Sequence, residues 1–229
     1  MTCFLQVLAC LAGVVFGASA DCMVEIGDST LTLEGIISKR FANKEWQENR
    51  TVPDEMIRQM LEYVLKAPSA LNTQPGRLII VDTKEGKERL AAAMHGPNPD
   101  HVLSSSFSVV FAADPDPPLP ADAPDFAARV LKEVSLHQAC SPRAWAEKQV
   151  MLQVAYFLLE ATAHGLNTNP MEGFKSPAAV REAVGLPDNH GVAVVVAVGY
   201  AKQAGFQASR RPLKEVCFRG RFGTPFGSV

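Results

Sequence analysis

Ser38-Lys39-Arg40-Phe41-Ala42-Asn43-Lys44 puts three cations within six residues, directly after an apolar, helix-like stretch from Leu31 to Ile37. An arginine fork suits phosphate oxygens, and a lysine supplies a point charge. Alone, such a run is a solvated basic patch. Three further segments add to it. Pro68-Ser69-Ala70-Leu71-Asn72-Thr73-Gln74-Pro75 is a proline-bracketed loop whose Ser69 and Asn72 can hydrogen-bond a ligand or cap a helix. Pro170-Met171-Glu172-Gly173-Phe174 contains a glycine that lets a ligand approach the backbone closely. Ser209-Arg210-Arg211-Pro212-Leu213 is a late basic pair that can again meet phosphate. The chemistry common to the four is the holding of a phosphorylated, planar molecule.

The elements that must position these segments can be read from pattern. Residues 53–66 begin with proline and two acids and then place Met56, Met60, Leu61, Val64 and Leu65 on one helical face. The loop 67–75 follows, then a strand over 77–82, a short helix over 84–94 and a strand over 106–113. Residues 114–124 carry five prolines and no apolar period, so they form a connection, either inert or the base of a lid. Residues 143–164 form the longest helix, with Trp145, Lys148, Leu152, Ala155, Tyr156 and Leu159 as its stripe. Its apolar residues extend beyond that stripe, so it is expected to be central and buried on most sides. Gly165 suits the position after its end. Ser176 and Pro177 open another helix through 184, and 191–200 is a β-branched run expected of an interior strand. Pattern alone gives a one-domain protein of the α+β or α/β class.

Composition removes several function classes. A formal charge of −2, with no basic run and 7% aromatics, argues against a nucleic-acid surface. The five cysteines include no C-x-x-C pair, and the five histidines no H-E-x-x-H spacing, so neither thiol nor metal chemistry is indicated. No G-x-G-x-x-G or G-x-x-x-x-G-K-[ST] motif is present either, which removes Rossmann and P-loop nucleotide sites. Residues 4–17 are almost wholly apolar and precede Ala18-Ser19-Ala20, the shape of a cleavable targeting segment over 1–20. That stretch is short for a membrane anchor, so no stable insertion of the mature domain is expected. Its n-region lacks a basic side chain, and Met23 is an alternative start. A secretory or organellar location therefore competes with a cytoplasmic one.

Taken in order, the four segments resemble the nitroreductase family over about residues 31–229. A-P-S-A-L-N-T-Q-P is similar to the family's P-S-S-x-N-x-Q-P-W loop, and G-L-N-T-N-P-M-E-G-F to its G-L-G-T-x-P-M-x-G-F segment. S-K-R-F-A-N-K stands at its basic segment, and R-R-P-L followed by R-F-G at its carboxy-terminal signature. The resemblance implies an α+β fold with a central, mostly antiparallel mixed sheet flanked by helices, assembled as a homodimer. It implies FMN as cofactor and NADH or NADPH as electron donor, with a nitroaromatic, quinone or similar small-molecule acceptor taking turns with the donor in one slot. No side chain is required as a nucleophile, because the flavin N5 carries the hydride.

Residue by residue, the resemblance places Lys39, Arg40, Phe41, Ala42 and Lys44 at the phosphate and ring of FMN, with Lys44 stabilising negative charge on the reduced ring. Pro68, Ser69 and Asn72 fall in a loop that reaches FMN from the second subunit. Pro170, Met171, Glu172 and Gly173 fall beside N5, and Arg210 and Arg211 at the phosphate. Phe41-Ala42 replaces a more usual polar pair, Gly76 a tryptophan, and Ala208 a lysine that Arg211 can substitute. Alternatives are a dehalogenase- or deiodinase-like reductase of the same fold, a flavin-fragmenting enzyme, and a non-catalytic flavin-binding or interaction protein. The tyrosine that a dehalogenase lid would need is missing from 114–142, since the chain's tyrosines are Tyr63, Tyr156 and Tyr200.

Overall fold

The computed structural model describes residues 32–121, 123–138 and 141–227, with side chains omitted over 134–138. The targeting segment expected over 1–20, and Met23, lie outside the described residues. In chain order the elements are α1 (Leu33–Lys39), α2 (Asp54–Val64), β1 (Gly76–Val81), α3 (Lys84–Ala93), α4 (Asn98–Ser104), β2 (Phe107–Ala113), α5 (Ala127–Gln138), α6 (Pro142–Ala163), β3 (Asn167–Met171), α7 (Pro177–Val184), β4 (Gly191–Gly199) and α8 (Leu213–Val216). The four strands form one antiparallel sheet in the order β1-β2-β4-β3. Ala42 adds a single parallel bridge to Thr168 on the β3 edge.

β2 and β4 are apolar on both faces because both faces of the sheet are covered. Val109, Phe111, Val194, Val196 and Val198 point to one side and pack with Met60 and Val64 of α2 and with Trp145, Val150, Val154 and Phe157 of α6. Val110, Val195 and Ala197 point to the other side and pack with Leu90 of α3, Val102 of α4 and Val180 of α7. All seven residues of β2 are buried. The result is a sheet between two helical layers, the α+β arrangement expected.

Local signals explain the helix boundaries. Ser141 and Ser176 both precede a proline and accept a hydrogen bond from the N–H three residues on, Ala144 and Ala179, so α6 and α7 start by the same device. Gly165, at φ 73°, takes the left-handed position after α6. β3, which the sequence pattern does not announce, is an edge strand paired to β4, and an edge is where a strand tolerates proline.

The stripe expected to bury α6 is corrected by the structure. The helix buries Trp145, Ala146, Val150, Gln153, Val154, Phe157 and Ala161. Met151, Leu152 and Tyr156 are 42%, 43% and 41% exposed, and Lys148 and Ala155 are exposed too. A helix apolar on all sides leaves its buried face to be chosen by packing. Here Phe157 meets Phe111 edge-on at 5.4 Å, while Ala146 and Ala161 permit close approach to the sheet.

Candidate functional site

α1 ends at Lys39 because Arg40 turns extended, at φ −65° and ψ 126°. The chain then runs along the β3 edge. The Asn43 N–H donates to the Thr168 carbonyl at 2.9 Å, and the buried Asn43 Nδ2 donates to the Glu45 carbonyl at 2.7 Å. Trp46 bridges Ala201, and the Lys202 N–H donates to the Glu45 carbonyl at 3.0 Å. These contacts seat residues 40–46 between the start of β3 and the chain leaving β4.

A strap over residues 203–212 then returns across this segment. At Gly205 it lies so close to Phe41 that a Cβ would overlap the ring. The Gln207 Nε2 donates to the carbonyls of Ile37, Ser38 and Arg40 at 2.6, 2.8 and 3.0 Å. The Arg210 guanidinium donates to the carbonyls of Ala208 and Ser209 at 2.6 and 3.1 Å. Between segment and strap lies a groove of about 560 Å³, lined by Arg40, Phe41, Lys44, Gln203, Gln207 and Arg210 among others.

The first and fourth sequence segments thus come together although 170 residues separate Arg40 from Arg210. Ala42 lines the groove as well, whereas Lys39 and Arg211 are exposed outside its lining. Among the described residues, neither the Arg40 guanidinium nor the Lys44 ammonium has a hydrogen-bond or ion-pair partner. Such unpaired cations facing one concavity suit a multiply charged anion. Glu45 is the carboxylate in the lining, and its Oε2 accepts from the Gln203 Nε2 at 3.2 Å.

The third segment lies outside the lining, further along the β3 edge. Pro170 and Met171 belong to β3, with Met171 buried, and Glu172 and Gly173 follow as exposed residues. The Gly173 carbonyl accepts from the His95 N–H at 2.9 Å and from the Asn98 Nδ2 at 2.8 Å, which pins this backbone against α4.

The second segment is at the far end of the sheet. The Asp114 N–H donates to the Pro75 carbonyl at 2.8 Å, so the loop containing Pro68, Ser69 and Asn72 sits beyond the Gly76–Ala113 pair. The groove borders the opposite end, near the Asn167–Gly199 pair, a strand length of roughly 20 Å away. The loop is tightly specified. Leu71, Asn72 and Gln74 have φ of 52°, 53° and 46°, the Ser69 Oγ accepts from the Gln74 N–H at 2.9 Å, and the Ala70 N–H donates to the Gln149 Oε1 on α6 at 2.9 Å. Three non-glycine residues in the left-handed region within four positions store strain that packing must offset. The proline-rich connection 114–124 starts at this same far end, and none of its described residues lines the groove.

Asn43, Gln203, Gly205 and Gln207 were not recognised as site residues from sequence, because isolated polar residues and a lone glycine carry no spacing signal. The substitution at Gly76 finds its reason here. A Cβ at Gly76 would overlap the Oε1 of the buried Gln153, so a α6 side chain occupies the room that a larger residue would need. The perturbed carboxylates and amine lie away from the groove. Burial raises Glu160, against the pull of His164 and Lys66, and raises Glu147, against Arg143 and the Val192 N–H. Burial also lowers Lys87, whose Nζ donates to the Ser105 carbonyl at 2.6 Å.

The model described as the nitroreductase family matches residues 37–200, from the end of α1 to the end of β4. The chain belongs to the nitroreductase family. A relative named NADH dehydrogenase, from Thermus thermophilus, is 31% identical over 72% of this chain and 85% of its own length. The oxygen-insensitive NAD(P)H nitroreductase of Salmonella typhimurium is 28% identical over 80% of this chain and 97% of its own. A family protein from Exiguobacterium sibiricum, solved in complex with FMN, superposes with a TM-score of 0.68 at 23% identity, covering 82% of this chain and 97% of that one. The strap that carries Gln207 and Arg210 lies beyond the span the family model matches.

Proposed function

We propose that this chain is an FMN-dependent oxidoreductase that passes electrons from NADH or NADPH to a nitroaromatic, quinone or similar small acceptor, and that it works as a homodimer. The observation that carries the reading is the groove in which Arg40, Lys44 and Arg210 converge from the two ends of the domain. FMN ends in a phosphate dianion, and charge-assisted hydrogen bonds from arginine and lysine are the strong contacts for such a group. The named relatives and the FMN-bound neighbour agree with this direction.

FMN supplies reversible electron-pair chemistry at its ring system; the chain supplies binding, orientation and charge. Arg40 and Arg210 hold the phosphate, and Lys44 offers positive charge to the ring. The Glu172–Gly173 backbone, pinned through His95 and Asn98, would stand beside the ring of the bound flavin. Among the described residues no tyrosine lines the groove, so nothing favours the dehalogenase alternative.

The dimer reading rests on two observations. The Pro68–Asn72 loop cannot reach the groove of its own chain, and α6 presents Met151, Leu152 and Tyr156 to the outside. A second chain packed on α6 would cover that apolar face and bring its loop to this groove. Donor and acceptor share one slot in turn. Initial rates measured against both substrates are therefore expected to give parallel double-reciprocal lines with NADH or NADPH and a quinone. Intersecting lines would exclude the shared slot, and no oxidation of either donor with any acceptor would exclude the function.

A further inference from the structure

The last turn of a helix leaves its carbonyls without intrahelical partners. In α1 this turn is tied by one side chain from 170 positions downstream. The Gln207 Nε2 stands 2.6 Å from the Ile37 carbonyl, 2.8 Å from that of Ser38 and 3.0 Å from that of Arg40. An amide nitrogen has two hydrogens, so the three acceptors share them. Beside it Phe41 packs against Gly205.

This clamp joins the two halves of the groove. On one side it fixes the peptide of Arg40, whose side chain lines the groove unpaired. On the other it anchors the strap three residues before Arg210, whose guanidinium is folded onto the Ala208 and Ser209 carbonyls. Without the clamp the spacing of the two arginines depends on an exposed, irregular segment, since residues 202–210 are all exposed.

We propose that Gln207 is a positioning residue that sets Arg40 and Arg210 at the separation one phosphate group requires. This rests on the FMN reading above, and it goes beyond it in assigning the geometry of the phosphate end to a side chain that touches neither charge. Gln207 acts through the backbone of Arg40, so its contribution to binding exists only while the Arg40 side chain is there to be positioned.

The test is a double-variant cycle on FMN affinity, read by quenching of flavin fluorescence with the purified full chain. Gln207→Leu keeps bulk and removes the donors, and Gln207→Met keeps length without a donor or a charge. Each is expected to weaken FMN binding about tenfold in the wild-type background and less than twofold in the Arg40→Leu background. Riboflavin, which lacks the phosphate, is expected to bind the Gln207 variants and the wild type alike. Equal losses in both backgrounds, an equal loss for riboflavin, or no loss at all overturns the proposal. A wild-type chain that binds no FMN defeats the cofactor reading itself, and this inference with it.

Discussion

At Gly205 the absence of a side chain decides how closely the strap lies on Phe41. Where a polar pair is more usual in the resemblance, this chain has Phe41-Ala42, and the structure shows what the phenyl ring does instead. It fills the space under the strap and so holds the groove's wall, while Arg40 and Lys44 on either side keep their charges free. Gly205→Ala forces the ring away. The variant is expected to lose FMN affinity, and Phe41→Ala added to it is expected to restore part of that loss by making room. If Gly205→Ala binds as the wild type does, the strap is not a wall of the site. Single residues of this sort were the least legible part of the sequence. Arg40, Lys44 and Arg210 stand out by charge, but Gln207 is a lone glutamine whose three partners lie 167 to 170 positions away. No local pattern encodes such a contact.

The elements were legible where one local rule ruled. The continuous burial of β2 and β4, the acids opening α2 and the Ser-Pro start of α7 were all readable and are all present. β3 was not, because Asn167-Thr168-Asn169-Pro170-Met171 has no strand propensity and is extended only by pairing with β4. α4 and α5 were missed as well; α4 is short and polar, and α5 follows a connection that gives no start signal. On α6 the helix was readable but its buried face was not. An apolar surface all round fits one face against the sheet and a second against another partner, and sequence does not rank them. That second face gives the prediction that belongs to this scale. Sedimentation of the wild type is expected to show a species of two chains, and Leu152→Glu with Tyr156→Glu to give single chains that bind FMN more weakly. A wild type that sediments as one chain would leave the exposed stripe without its assigned partner.

At the scale of the whole molecule, the sheet acts as a spacer. Its β3 edge carries the Arg40–Lys44 segment and the strap, while its far end carries the strained Ser69–Gln74 loop. On the proposed reading one chain displays two halves of a site at opposite ends, and pairing of two chains would join them into two complete sites. The resemblance implied that the Pro68–Asn72 loop serves a second subunit, and the strand register supplies the physical reason, by putting that loop at the end of the sheet away from the groove. The central claim is that the basic groove holds FMN and that the bound flavin takes electrons from a nicotinamide donor. The most direct measurement is the visible absorption spectrum of the purified chain, recorded before and after addition of FMN and then of NADH or NADPH. The account predicts protein-bound flavin bands that bleach when the donor is added without air. A colourless chain that cannot be reconstituted with FMN, or a bound flavin that neither donor bleaches, would contradict it, the first pointing to an interaction protein that has kept the fold alone.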